Sequence, residues 1–146
     1  MQERAIETLI FEYARKIDAG DFSGVAGMFH AGKICSAFGE PTIGYDAVLA
    51  LYNSSTRLYE DGTPKTRHIT TNLTISVDGH KARAQSYFTV MQSLPDFPLQ
   101  AIISGSYDDQ FEQIENQWQF SCRTMYPALL GDLSRHLLFD ISTLSN

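Results

Sequence analysis

The hydrophobic period of this chain changes once, at Pro64, and that change limits the fold more than any other feature. Up to about residue 59, apolar side chains recur at spacings of three and four, as they do along one face of a helix. Beyond Pro64 the spacing falls to two and stays there, the pattern of strands with one buried face. Helices first and strands after, in a chain of 146 residues, predict an α+β domain with helices covering one face of a sheet.

Residues 2–17 place Ile6, Leu9, Ile10, Tyr13 and Ile17 on one helical face. Gly20 suits the end of that helix and Asp21 the cap of the next. Phe22, Val25, Met28 and Phe29 form the stripe of a short second helix, and Lys33 to Phe38 reads as a brief strand. A third helix is predicted from Gly44 to about Tyr59, with Val48, Leu49, Leu51 and Tyr52 inward. Four antiparallel strands should follow. The first alternates Ile69, Thr71, Leu73, Ile75 and Val77 with His68, Thr70 and their neighbours. Asp78-Gly79 makes a tight turn into a strand from Lys81 to about Ser93. The last two run from Gln100 to Ile114 and from Gln117 to about Tyr126, joined at Asn116. The tail around Asp132 to Leu138 reads as a short helix.

Composition narrows the function. A net charge of −6 disfavours a nucleic-acid binder, which needs a basic face to neutralise phosphates. No apolar run is long enough to span a bilayer, and no secretory leader is evident, so a cytoplasmic protein is expected. Cys35 and Cys122 sit among apolar residues and read as small buried side chains. No metal-site spacing, dinucleotide fingerprint, phosphate loop or nucleophile elbow is present, which agrees with cofactor-free chemistry.

Several stretches carry a resemblance in combination. They are Tyr13-Ala14-Arg15-Lys16-Ile17-Asp18 with Gly20-Asp21-Phe22, Ile43-Gly44-Tyr45-Asp46-Ala47-Val48, Thr66-Arg67-His68-Ile69-Thr70-Thr71-Asn72-Leu73, and Trp118-Gln119-Phe120. The chain resembles the SnoaL-like family of the nuclear-transport-factor-2-like superfamily over nearly its whole length. That resemblance implies one domain over residues 1–146, a cystatin-like cone in which three N-terminal helices pack on a strongly curved antiparallel sheet. The superfamily holds dehydratases, dehydrochlorinases, cyclases and isomerases beside non-catalytic members, so function must be argued from the site.

The resemblance to scytalone dehydratase and hexachlorocyclohexane dehydrochlorinase also implies a site. In both, an Asp ending the first helix pairs with a His opening the first long strand. Asp18 and His68 stand in those places. An imidazole supplies a base near neutral pH, and a carboxylate on its other ring nitrogen fixes the tautomer. Taken singly, Asp18 could merely close its helix, and His68 could be an edge residue. The strand that carries a second His in scytalone dehydratase reads Val90-Met91-Gln92-Ser93 here, leaving Gln92 as a hydrogen-bonding group. Tyr13, Tyr45, Phe88 and Tyr107 join Gln92 as candidate substrate-binding residues. Regular alternation would point His68 away from the core, so the pair requires a bend or bulge between Thr70 and Asn72. By the same parity, Arg123 is expected outside, opposite Trp118, Phe120 and Cys122. His136 could cap the cavity mouth, but it reads more readily as a surface residue of the tail helix.

Two functions follow. The first is a cofactor-free lyase or isomerase/cyclase acting on a small hydrophobic cyclic molecule, with His68 as base and Asp18 orienting it. The second is a non-catalytic ligand-binding or interaction module of the same fold. Self-association as a homodimer or homotrimer is expected through an outer sheet face bearing Thr70, Thr74, Ser76, Arg83, Gln85 and Arg123.

Overall fold

A computed structural model describes residues 2–36 and 39–140. Among the described residues three helices, α1 (Gln2–Asp18), α2 (Phe22–Gly27) and α3 (Gly44–Ser55), accompany six strands. The strands are β1 (Lys33–Ser36), β2 (Thr42–Ile43), β3 (Thr66–Asp78), β4 (Lys81–Leu94), β5 (Phe97–Ile114) and β6 (Gln117–Leu130). They form one sheet in the order β2-β1-β6-β5-β4-β3. The architecture is α+β as expected, with two short strands added to the antiparallel meander: β1 lies parallel to β6, pairing Cys35 with Thr124, and β2 pairs antiparallel with β1. Ala37 and Phe38, the last residues of the expected first strand, lie outside the described residues.

Local chemistry sets the helix ends. Gly20 adopts φ 75°, and the amides of Gly20 and Asp21 reach back to the carbonyls of Ile17 and Lys16. That is a Schellman ending, which a left-handed glycine permits. A Cβ on Gly20 would meet the Gly62 carbonyl at 2.0 Å, so the turn is also a close approach. Asp21 then accepts from the Gly24 amide at 2.9 Å and caps α2. The third helix ends at Ser55, short of Tyr59. Thr56 is already extended (φ −113°, ψ 127°), consistent with the poor helix propensity of Asn53-Ser54-Ser55-Thr56.

The tail is not the expected helix. The Asp132 carboxylate accepts from the Ser134 amide two residues on, a local turn that competes with helix formation. Leu137 instead forms a strand-like bridge to Thr56.

The α1 face of Ile6, Ile10, Tyr13 and Ile17 is buried. Phe29 stacks on Phe120 (centroids 4.9 Å), which packs on Phe111 (4.6 Å). Each such ring, fully buried, contributes about 1.5–3 kcal/mol.

The strands are bent by bulges, and each bulge reverses which residues face inward. In β3 the register shifts between Thr71 and Thr74, where Asn72 takes φ 54°. Thr66 and His68 therefore point in before the bulge, and Leu73, Ile75 and Val77 point in after it. Ile69 is exposed and Thr70 half-buried, the reverse of simple alternation. In β6 an extra residue, Ser121, falls between the pairs Phe111–Phe120 and Gln110–Cys122. Phe120 and Arg123 consequently share the inner face, which corrects the outward placement expected for Arg123.

Candidate active site

Asp18 occupies the last turn of α1, where the helix dipole disfavours a carboxylate. Three donors from β3 converge on it. The His68 amide reaches Oδ2 at 2.8 Å, the Thr66 hydroxyl reaches Oδ1 at 2.9 Å, and His68 Nδ1 lies 2.6 Å from Oδ1. With the carboxylate as acceptor, Nδ1 carries the proton and Nε2 keeps its lone pair. The His68 and Asp18 side chains are 10% and 15% exposed. His68 lines a cavity of about 380 Å³ between the helices and the inner sheet face. The walls are mainly apolar, as ligand sites usually are.

Tyr13, Phe88 and Tyr107 also line this cavity. Phe88 stacks on Tyr107 at 4.4 Å. Burial raises the Tyr13, Tyr52 and Tyr107 hydroxyls above the usual tyrosine range, so all three are neutral donors. Tyr13 and Tyr52 share a short hydrogen bond between their hydroxyls, and Tyr52 is a cavity residue too.

Two expected placements are corrected. Tyr45 is not in the cavity wall; it stacks on His30 at 4.9 Å, at the start of α3. Gln92 is 1% exposed and also outside the wall. Its amide nitrogen donates to the Pro64 carbonyl at 3.0 Å and the Arg135 carbonyl at 3.2 Å. Gln92 thus ties β4 to the loop before β3 and to the C-terminal segment.

His136, expected at the surface, is 8% exposed and lines the same cavity. Burial pulls its imidazole down to about 4, with the nearby His68 acting in the same direction. The expected helix obscured this placement. A local signal was the turn chemistry of Asp132 and Ser134, which breaks a helix before His136.

Beneath the cavity floor lies a buried ion pair. Arg123 Nε and Nη2 donate to the two Asp109 oxygens at 2.8 and 2.9 Å, and both side chains are 0% exposed. The guanidinium lies 3.6 Å from the Tyr107 ring centre and 4.3 Å from that of Tyr13. It therefore supports two cavity-lining tyrosines from behind.

Cys35 lines the cavity, and its Sγ lies 3.7 Å from that of Cys122. Burial, the largest effect, and the Cys122 sulfur raise the Cys35 thiol, an unreactive setting. Among the described residues no group of three or more His, Cys, Asp or Glu side chains is placed to hold a metal ion. No described helix is long and apolar enough to cross a membrane.

Comparison with known proteins agrees with this architecture. A protein of unknown function from Mycobacterium tuberculosis superposes with a TM-score of 0.74 at 25% identity, over 88% of this chain and 73% of that one. A Novosphingobium aromaticivorans protein described as nuclear-transport-factor-2-like with a cystatin-like fold gives 0.73 at 17% identity, over 99% and 88%. Another from the same organism, provisionally named a scytalone dehydratase, gives 0.72 at 22% identity, over 90% and 87%. No curated protein matches the sequence. The family model for the SnoaL-like domain matches residues 1–124, and the chain belongs to that family.

Proposed function

We propose that this protein is a cofactor-free enzyme, a lyase or an isomerase/cyclase, acting on a small hydrophobic cyclic substrate. The SnoaL-like fold includes isomerases, dehydratases and cyclases. The observation that carries the reading is the Asp18–His68 contact at 2.6 Å on the wall of an apolar cavity. His68 Nε2 would take a proton from a substrate carbon, and Asp18 would hold the ring and stabilise the imidazolium formed. The cavity volume suits a ring compound of modest size. Tyr13, Phe88 and Tyr107 would bind it. Self-association would use the outer sheet face, where Tyr87 and Tyr126 are about half exposed.

The test is turnover of a panel of cyclic ketones and β-substituted ring compounds, read by loss of a C–H proton to deuterated solvent. His68→Ala should lower the rate about 10²–10⁴-fold, and Asp18→Asn should lower it in parallel. Unchanged turnover in His68→Ala would exclude His68 as the base. Binding of the panel without any exchange in the unaltered protein would favour a non-catalytic ligand-binding module.

A further inference from the structure

His136 is a buried titratable group in the cavity wall to which the proposed proton transfer gives no role. Its position is built. The backbone on either side is fixed by Arg57 donating to the His136 carbonyl at 2.8 Å and Leu138 donating to the Ser55 carbonyl at 3.0 Å. The preceding Arg135 carbonyl accepts from Gln92 and from the Tyr59 hydroxyl. The Arg135 side chain pairs with Asp96 at 2.9 and 3.1 Å. Four elements of the chain thus hold one imidazole against the cavity.

Its ring nitrogens differ. Nδ1 is shielded from solvent and has no hydrogen-bond partner among the described residues. A buried N–H without an acceptor is rarer and costlier than an unused acceptor. The stable tautomer of the neutral ring therefore keeps the lone pair on Nδ1 and the proton on Nε2. An imidazole held this way is a hydrogen-bond donor that does not compete with His68 for a proton.

We infer that His136 is a second functional group of the site, donating Nε2–H to a substrate oxygen, and that the substrate is a ring compound whose reacting C–H lies beside a carbonyl. The inference rests on the reading of His68 as the base. When His68 Nε2 takes the proton, the C–H electron pair becomes the new C=C bond. The carbonyl π pair moves onto oxygen, giving an enolate and a His68 imidazolium. His136 keeps its own proton and holds the oxyanion. In a β,γ-unsaturated ketone the enolate is a dienolate, and return of the His68 proton to the γ-carbon re-forms the carbonyl and completes an isomerisation. In a β-substituted ketone the oxygen pair re-forms the carbonyl, the α,β double bond forms as the β-substituent leaves with its bonding pair, and the His68 imidazolium gives its proton to that leaving group.

Two measurements test this without turnover. In protein labelled with ¹⁵N-histidine, the His136 resonances at neutral pH should be those of the neutral Nε2–H tautomer. A protonated ring, or the Nδ1–H tautomer, would overturn the inference. Binding is then compared for 4-nitrophenolate, a ring oxyanion, and nitrobenzene, a neutral ring of similar shape. His136→Leu should weaken 4-nitrophenolate about ten-fold or more and leave nitrobenzene unchanged. His136→Gln, which keeps an N–H donor, should retain most of the preference for the anion. Equal 4-nitrophenolate affinity in His136→Leu, or parallel loss of both probes, would reduce His136 to a wall residue. Neither assay depends on proton abstraction, so failure of the His68 reading would be seen separately, in the exchange experiment.

Discussion

Replacing Asp109 by Asn removes one charge from the interior and changes almost no volume. The partner left behind is Arg123, a guanidinium with no exposed surface, whose Nε and Nη2 meet the two carboxylate oxygens at 2.8 and 2.9 Å and lose the negative charge and one of the two acceptors. Removing one member of a buried pair costs about 3–5 kcal/mol, because the other charge stays desolvated. Two things moderate that cost here. The Tyr107 and Tyr13 rings still face the cation at 3.6 and 4.3 Å, which offsets up to about 2 kcal/mol. The Asn oxygen can also still accept one bond. The expected loss is therefore near the low end, about 3 kcal/mol, against a total stability of about 5–15 kcal/mol for a domain. In urea, with a slope of about 2 kcal/mol/M, the midpoint should fall by about 1.5 M. A double variant, Asp109→Leu with Arg123→Met, should recover most of the loss, since apolar residues of similar volume commonly replace buried pairs without penalty. An Asp109→Asn midpoint equal to that of the unaltered protein would refute the reasoning, for it would mean that water reaches the guanidinium.

The β3 bulge and the buried histidine give two further tests. Asn72 sits at φ 54°, so Asn72→Val should cost about 1–2 kcal/mol in thermal unfolding while Asn72→Gly stays close to neutral; equal stabilities would show that the left-handed conformation is not required. His136 has its protonation pulled down from 6.5 to about 4, so between those pH values the unfolded chain binds a proton that the folded chain does not. Stability should be fully present above about pH 6.5 and should fall by about 1.4 kcal/mol per pH unit, about 3 kcal/mol in all, as pH drops through that window. His136→Gln should lack this limb, and identical acid profiles for the two proteins would contradict the assigned burial.

What was legible in the sequence was local, and what was not legible was a matter of counting across bulges. The α1 stripe, the Gly20 ending, the Asp21 cap and the hairpin loop between Asp78 and Lys81 each follow from residues within a few positions of one another. The parallel pairing of β1 with β6 joins segments some 90 residues apart and leaves no local trace. The need for a bulge near Asn72 could be argued because His68 had a reason to face inward and Asn tolerates φ > 0. The same chemistry holds in β6. Counting back from the Ile114–Gln117 pair, a regular hairpin sets Cys122 opposite Asp109. Asp109 shares the parity of cavity-facing Tyr107, and a carboxylate on that face needs a cation. Arg123 lies one residue further along. Only an inserted residue brings it opposite Asp109, and Ser121 is that residue. The two bulges thus do the same thing by the same means. Each turns a polar side chain that alternation assigns to solvent into the interior, where a carboxylate from a neighbouring element receives it. His68 meets Asp18 of α1 and Arg123 meets Asp109 of β5, so the site and its support both depend on breaking the period-two pattern that identifies the strands.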